Sequence, residues 1–152
     1  MDETTHANSE SPITYRGVVH TWQCDHMGHM NVMWYVGKFD EATWQLFHAI
    51  GITASFLREQ RRAMAAVDQR IRYQRELHAG AVVSVRSALV EVRDKVLRFV
   101  HEMKNDESGE TAAVCMLTGV HIDAQTRKSC ALPAEIIHRG RSMVTSYEFP
   151  ER

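Results

Sequence analysis

Between Val32 and Gly51 the apolar side chains recur at a helical period, and beyond Arg62 the period changes to two. No other feature of the chain narrows its fold so far. Val32, Tyr35, Val36, Phe39, Leu46, Phe47 and Ile50, with Thr43 among them, stand at i, i+3, i+4, i+7 spacing. That spacing lays one stripe along a helix of about five turns. Asn31 is placed to cap its first turn, because its side-chain oxygen can accept an N–H that a helix start leaves unpaired. Gly51 is placed to end it, since glycine enters the left-handed region without steric cost. Trp34 and Trp44 fall off the stripe, so the helix carries large apolar groups on more than one side. A helix wrapped by a sheet, or set near a subunit contact, has that character.

Residues 65–75, 81–91, 95–104 and 111–123 alternate apolar and polar positions, the mark of strands with two unlike faces. In the third, Leu97, Phe99, His101 and Met103 share one face, and Val96, Arg98, Val100 and Glu102 the other. The joints at 77–80, 92–94 and 105–110 are short and turn-like, which favours antiparallel hairpins. Residues 15–22 read as a first strand, 52–62 as a connection with some helical character, and 132–137 as a short helix with Pro133 near its start. The expected fold is α+β, a five-stranded antiparallel sheet on one long helix. We place the domain at 14–140, with polar tails at 1–13 and 141–152. The exposed edges of such a sheet lead us to expect a homodimer or homotetramer.

Composition excludes several classes. Eighteen basic against nineteen acidic residues leave a net charge of −1, too little basic excess for a general nucleic-acid binder. No apolar run reaches the ~20 residues that cross a bilayer. The three cysteines, Cys24, Cys115 and Cys130, form no disulfide framework. Residues 1–12 have neither the basic start nor the apolar stretch of a signal peptide. We expect a cytoplasmic protein with no membrane partner.

The chemistry should sit where the first strand hands over to the helix, in Gln23-Cys24-Asp25-His26-Met27-Gly28-His29-Met30-Asn31. A helix N-terminus offers unpaired N–H groups and partial positive charge, which can stabilise the oxyanion of acyl transfer. Asp25, on a glycine-containing loop before that terminus, should stay ionised and serve as nucleophile or general base. By composition alone, such an aspartate is more often a cap or turn residue. Cys24, His26 and His29 match no structural zinc module, and we expect no metal. The three methionines of the segment read as packing.

Asp25-His26-Met27-Gly28-His29-Met30-Asn31, followed by Trp34-Tyr35 and Phe39-Asp40-Glu41-Ala42, resembles the signature of 4-hydroxybenzoyl-CoA thioesterase-like proteins of hotdog fold. Their motif runs D-x-D-x-x-G-H-x-N-N, then Tyr, then an aromatic and an acidic residue on the helix. The likeness spans about residues 14–137. It implies an acyl-CoA thioesterase that releases a small to medium acyl group as free acid, with no cofactor beyond the coenzyme A of the substrate. On matching positions it implies a catalytic set of Asp25, His29, Asn31 and the backbone at Val32 and Met33. Gly28 and Tyr35 fall on the substrate side, and Glu41 takes the place of the helix acid. Gln23 and Val32 depart from the motif, standing where it has its first acid and second asparagine.

A thiolate leaving group, with thiol pKa about 8.5, needs no strong general acid, so one carboxylate and a few N–H donors suffice. The CoA phosphates would draw on Arg58, Arg61 and Arg62 in the connection, or on Arg70 and Arg72, which share one strand face. The competing readings are a hotdog protein that binds acyl-CoA without cleaving it, and a hydratase using an Asp/His pair. Retention of Asp25 favours hydrolysis.

Overall fold

A computed structural model describes residues 10–150 of the chain. Its elements run β1 (Ile13–Val18), α1 (Val32–Ala49), α2 (Ala54–Glu59), β2 (Arg62–Tyr73), β3 (Val82–Val92), β4 (Val96–Asn105), β5 (Thr111–Asp123) and α3 (Ala134–Ser142). The long helix has the ends that its caps predict. The Met33 N–H donates to Asn31 Oδ1 at 3.0 Å, and Gly51 takes φ +97° just beyond the C-cap Ile50. Phe39, Leu46 and Ile50 on its inner stripe are buried, each such side chain contributing about 1.5–3 kcal/mol.

The five strands form one antiparallel sheet in the order β1-β3-β4-β5-β2, and α1 lies against its inner face. The face division read from β4 holds. Leu97, Phe99 and Met103 join the main core with α1, and Val100 opens on the outer face beside Ala88 and Val114. His101 is fully buried on the inner face, and a chain of hydrogen bonds through it ties α1 to the sheet. The Thr43 hydroxyl donates to Phe39 O at 3.0 Å, so its oxygen accepts from His101 Nε2–H at 2.8 Å. Nδ1 is then bare and accepts from Ser87, whose hydroxyl oxygen lies 2.6 Å from that of Thr14. The side-chain polar atoms of Thr14, Ser87, His101 and Thr43 thus each find a partner in this series, as a low-dielectric interior demands.

Three expectations are corrected. The first strand covers 13–18 rather than 15–22. His20 N–H donates to Gln23 Oε1 and Gln23 N–H to His20 O, both at 3.0 Å, and the chain winds into a 3₁₀ turn over Thr21–Gln23. The joint at 77–80 closes no hairpin. β2 pairs with β5 and β3 with β1 and β4, so residues 74–81 cross the end of the sheet, anchored by buried Leu77. The C-terminal stretch is no free tail either: α3 continues to Ser142, and Thr145 N–H bonds Leu89 O at 2.9 Å. Tyr147 and Phe149 then pack on the outer apolar cluster, which would otherwise face water. Of the expected N-terminal tail, residues 1–9 lie outside the described residues, and Ser11 is buried against the sheet.

Candidate active site

The loop between the 3₁₀ turn and α1 folds on itself. Asp25 N–H bonds His29 O at 3.1 Å, Gly28 N–H bonds Asp25 O at 3.0 Å, and Asn31 N–H bonds Gln23 O at 2.9 Å. Gly28 takes φ +87° in this turn, a conformation an L side chain resists. From outside, Met30 N–H donates to Leu77 O at 2.7 Å. His78 Nδ1 lies 3.1 Å from Gly28 O; a carbonyl only accepts, so Nδ1 carries the proton. The crossover that sequence reasoning took for a hairpin turn therefore braces the loop.

The Asp25 carboxylate projects from this loop. Oδ1 accepts from Met27 N–H and Oδ2 from the Asn31 amide, both at 2.8 Å. The Asn31 bond first, then that of Met27, holds its pKa below the ordinary carboxylate value, and the nearby His29 and His26 act more weakly in the same direction. Asn31 thus has two tasks, since its other side-chain atom caps α1. That occupies the Met33 N–H. Val32 N–H, one residue earlier, has no partner among the described residues and points from the positive end of the helix dipole.

His29 does not bond Asp25. Its Nε2 faces Glu76 at 3.5 Å. Tyr35 is buried edge-on against Tyr73, 5.1 Å between ring centroids, and burial pushes its pKa up to about 12. It packs under the site, with its phenol neutral. Gln23, at the motif's first acid position, is buried and spends its side chain on the His20 N–H. Glu41 borders a shallow groove with Tyr15 and Trp44 on the β1 side, about 13 Å along the helix from Val32.

The five arginines are not brought to Asp25 within one chain. Arg58, Arg61 and Arg62 follow the C-terminal end of an 18-residue helix, about 27 Å from its start, and Arg62 pairs with Asp123 at 2.9 Å. Arg70 and Arg72 stand opposite Met116 and Val114 on the outer face, and Arg70 caps the Phe149 ring at 4.6 Å. A cavity of about 380 Å³ runs along α1, lined by Val36, Phe39, Trp44, Phe47, Met64 and Phe99 among others. It begins one helical turn below Val32. Sequence reasoning missed this cavity, the His78 brace, and the contact of Trp22 with Trp34 that flanks the loop. All three depend on pairings between distant segments. Among the described residues, no group of three or more His, Cys, Asp or Glu could hold a metal ion, and no helix is long and apolar enough to cross a membrane.

Comparison with known proteins identifies the fold and the family. A solved hypothetical protein from Staphylococcus aureus, in complex with CoA, superposes with a TM-score of 0.83 at 18% identity, covering 93% of this chain and 91% of that one. A 1,4-dihydroxy-2-naphthoyl-CoA thioesterase from Synechocystis gives 0.76 at 17% identity, over 86% and 96% of the two chains. These likenesses establish the hotdog fold. An L-carnitine dehydrogenase/betainyl-CoA thioesterase from Agrobacterium fabrum is 32% identical over 113 residues, which is 74% of this chain. The match spans only 23% of that longer relative. The thioesterase-like superfamily profile matches residues 19–140, and the chain belongs to that superfamily.

Proposed function

We propose that this chain hydrolyses an acyl-CoA thioester to the free acid and CoA, with Asp25 as its catalytic carboxylate. The observation that carries this reading is the juxtaposition of an exposed, ionised Asp25 with the unpartnered Val32 N–H, both oriented by Asn31. A thioester carbonyl that accepts from Val32 N–H is polarised, and its oxyanion gains from the helix dipole. Asp25 then either adds to the carbonyl carbon and expels the CoA thiolate, leaving a mixed anhydride for water to open, or takes a proton from an attacking water. Asn31 and His29 position the loop. The cavity from Val36 onward gives the acyl group an apolar berth of moderate length.

The phosphates of CoA need cations, and within one chain Arg58, Arg61 and Arg62 lie at the far end of α1 while Arg70 and Arg72 stand on the outer face. β2 is an edge strand with Val67 and Tyr73 exposed, and pairing with itself across a two-fold axis is antiparallel. Such a homodimer would set Arg58, Arg61 and Arg62 of a second copy beside the Tyr73 end. That is the Asp25 end, because Tyr73 touches Tyr35 in the first turns of α1. Three free cysteines suit a reducing, cytoplasmic setting.

A panel of acyl-CoAs with aliphatic, aromatic, hydroxylated and betainyl groups tests the function. Release of free thiol from at least one is expected. Silence across the panel, in protein that still binds CoA, would favour a non-catalytic acyl-CoA binder.

A further inference from the structure

We infer that Trp22 and Trp34, which meet beside the Asp25 loop, form a binding corner for a quaternary ammonium carried on a short acyl group. The inference rests on the thioesterase reading and names the substrate class of that site. The two indoles bracket the loop, one in the 3₁₀ turn before it and one in the first turn of α1. Their ring centroids are 4.8 Å apart and their planes meet at 83°, so the rings make a floor and a wall. His20 lies parallel to Trp22 at 5.4 Å and fixes its plane. Trp22 nonetheless stays 63% exposed. A large indole left open to water beside a candidate catalytic carboxylate is an unspent binding surface.

The chemistry of that surface is cation recognition. Indole faces carry negative potential, and methylated ammonium groups, weakly hydrated, settle against two or three of them. Among the described residues, no lysine or arginine side chain already fills the role. No lysine or arginine occurs between residues 17 and 37, and the cation–π contacts among the described residues lie elsewhere, at Tyr15 and Phe149. The Asp25 carboxylate adds attraction of the same sign. Its reach sets the length of the acyl group: Trp22 and Asp25 are three residues apart, so their Cα atoms are within about 10 Å. A cation one methylene from the reacting carbonyl can touch the corner while the carbonyl meets Val32 N–H. A long apolar chain would instead enter the cavity at Val36.

Trimethylammonioacetyl-CoA and tert-butylacetyl-CoA test this directly, because carbon replaces nitrogen and only the charge differs. The α-ammonium also makes its own carbonyl more electrophilic, so the ratio of kcat/KM, cationic over neutral, is expected to be at least about tenfold in the wild-type protein, and the corner is read from how that ratio changes between variants. Trp22→Leu and Trp34→Leu should each lower it at least threefold, and Trp22→Phe should keep part of it. Titration calorimetry reads the same ratio in Kd, so a protein that binds without cleaving still answers. A wild-type ratio of one or less, or a ratio that survives both leucine variants, overturns the corner. Absence of thiol release with the Kd preference intact overturns the hydrolase reading and leaves the corner standing.

Discussion

Both oxygens of Asp25 accept hydrogen bonds, and both donors come from the loop that Asp25 opens. Asn31 matters most, because one side chain both steadies the carboxylate and caps the helix whose N-terminus faces it. Removing it should separate the two effects. Asn31→Ala loses the cap, about 1 kcal/mol of stability, and releases Asp25 from the bond that does most to lower its pKa. The carboxylate then titrates at higher pH, so the acid limb of the kcat/KM profile should move upward. Asn31→Ser keeps a capping oxygen for Met33 N–H without the amide donor. It should recover the melting temperature and leave the pH limb displaced. An acid limb unmoved in both variants would show that Asn31 does not act through Asp25.

At the scale of elements, the hydrogen-bonded chain from Thr14 to Phe39 O fastens β1, β3, β4 and α1 around His101. Thr43→Val would leave His101 Nε2–H buried without an acceptor and should cost about 1–3 kcal/mol in urea unfolding. Desolvation depresses the His101 pKa from 6.5 to about 3, so the folded state keeps the ring neutral where the unfolded chain protonates it. The stability this neutral ring contributes is whole above pH 6.5. It drains as pH falls towards about 3, by up to about 1.4 kcal/mol per pH unit. Urea midpoints at pH 7 and pH 5 should differ in that direction for the wild type and less for His101→Gln. The elements themselves were legible because periodicity is local: α1 and the two faces of β4 follow from spacing alone. The end of β1, the crossover at 74–81 and the C-terminal return over the sheet were not. They are decided by Gln23 reaching His20, by Leu77 entering the core, and by Tyr147 and Phe149 covering Ala88, Val100 and Val114.

For the whole molecule, the outcome turns on what covers β2 and what reaches Asp25. Placing a charge on the edge, Val67→Lys, should shift the proposed dimer to monomer in sedimentation velocity and raise KM for acyl-CoA, because it separates Arg58, Arg61 and Arg62 from the site they would serve. A dimer that persists unchanged would place the interface elsewhere. The candidate site was half legible. Asp25, Gly28 and Asn31 announced themselves by their order before a capped helix, and their contacts confirm that they share one loop. The arginines did not, since sequence shows charge but not which face of a strand or which end of a helix bears it. Nor could spacing show that Met33 N–H is already taken while Val32 N–H has no partner among the described residues. The most direct test of the account compares the wild type with Asp25→Asn on whichever acyl-CoA of the panel is turned over fastest, with melting temperatures measured alongside. Loss of about a hundredfold or more in kcat, at a melting temperature close to that of the wild type, is the predicted result. Undiminished turnover by Asp25→Asn would contradict it.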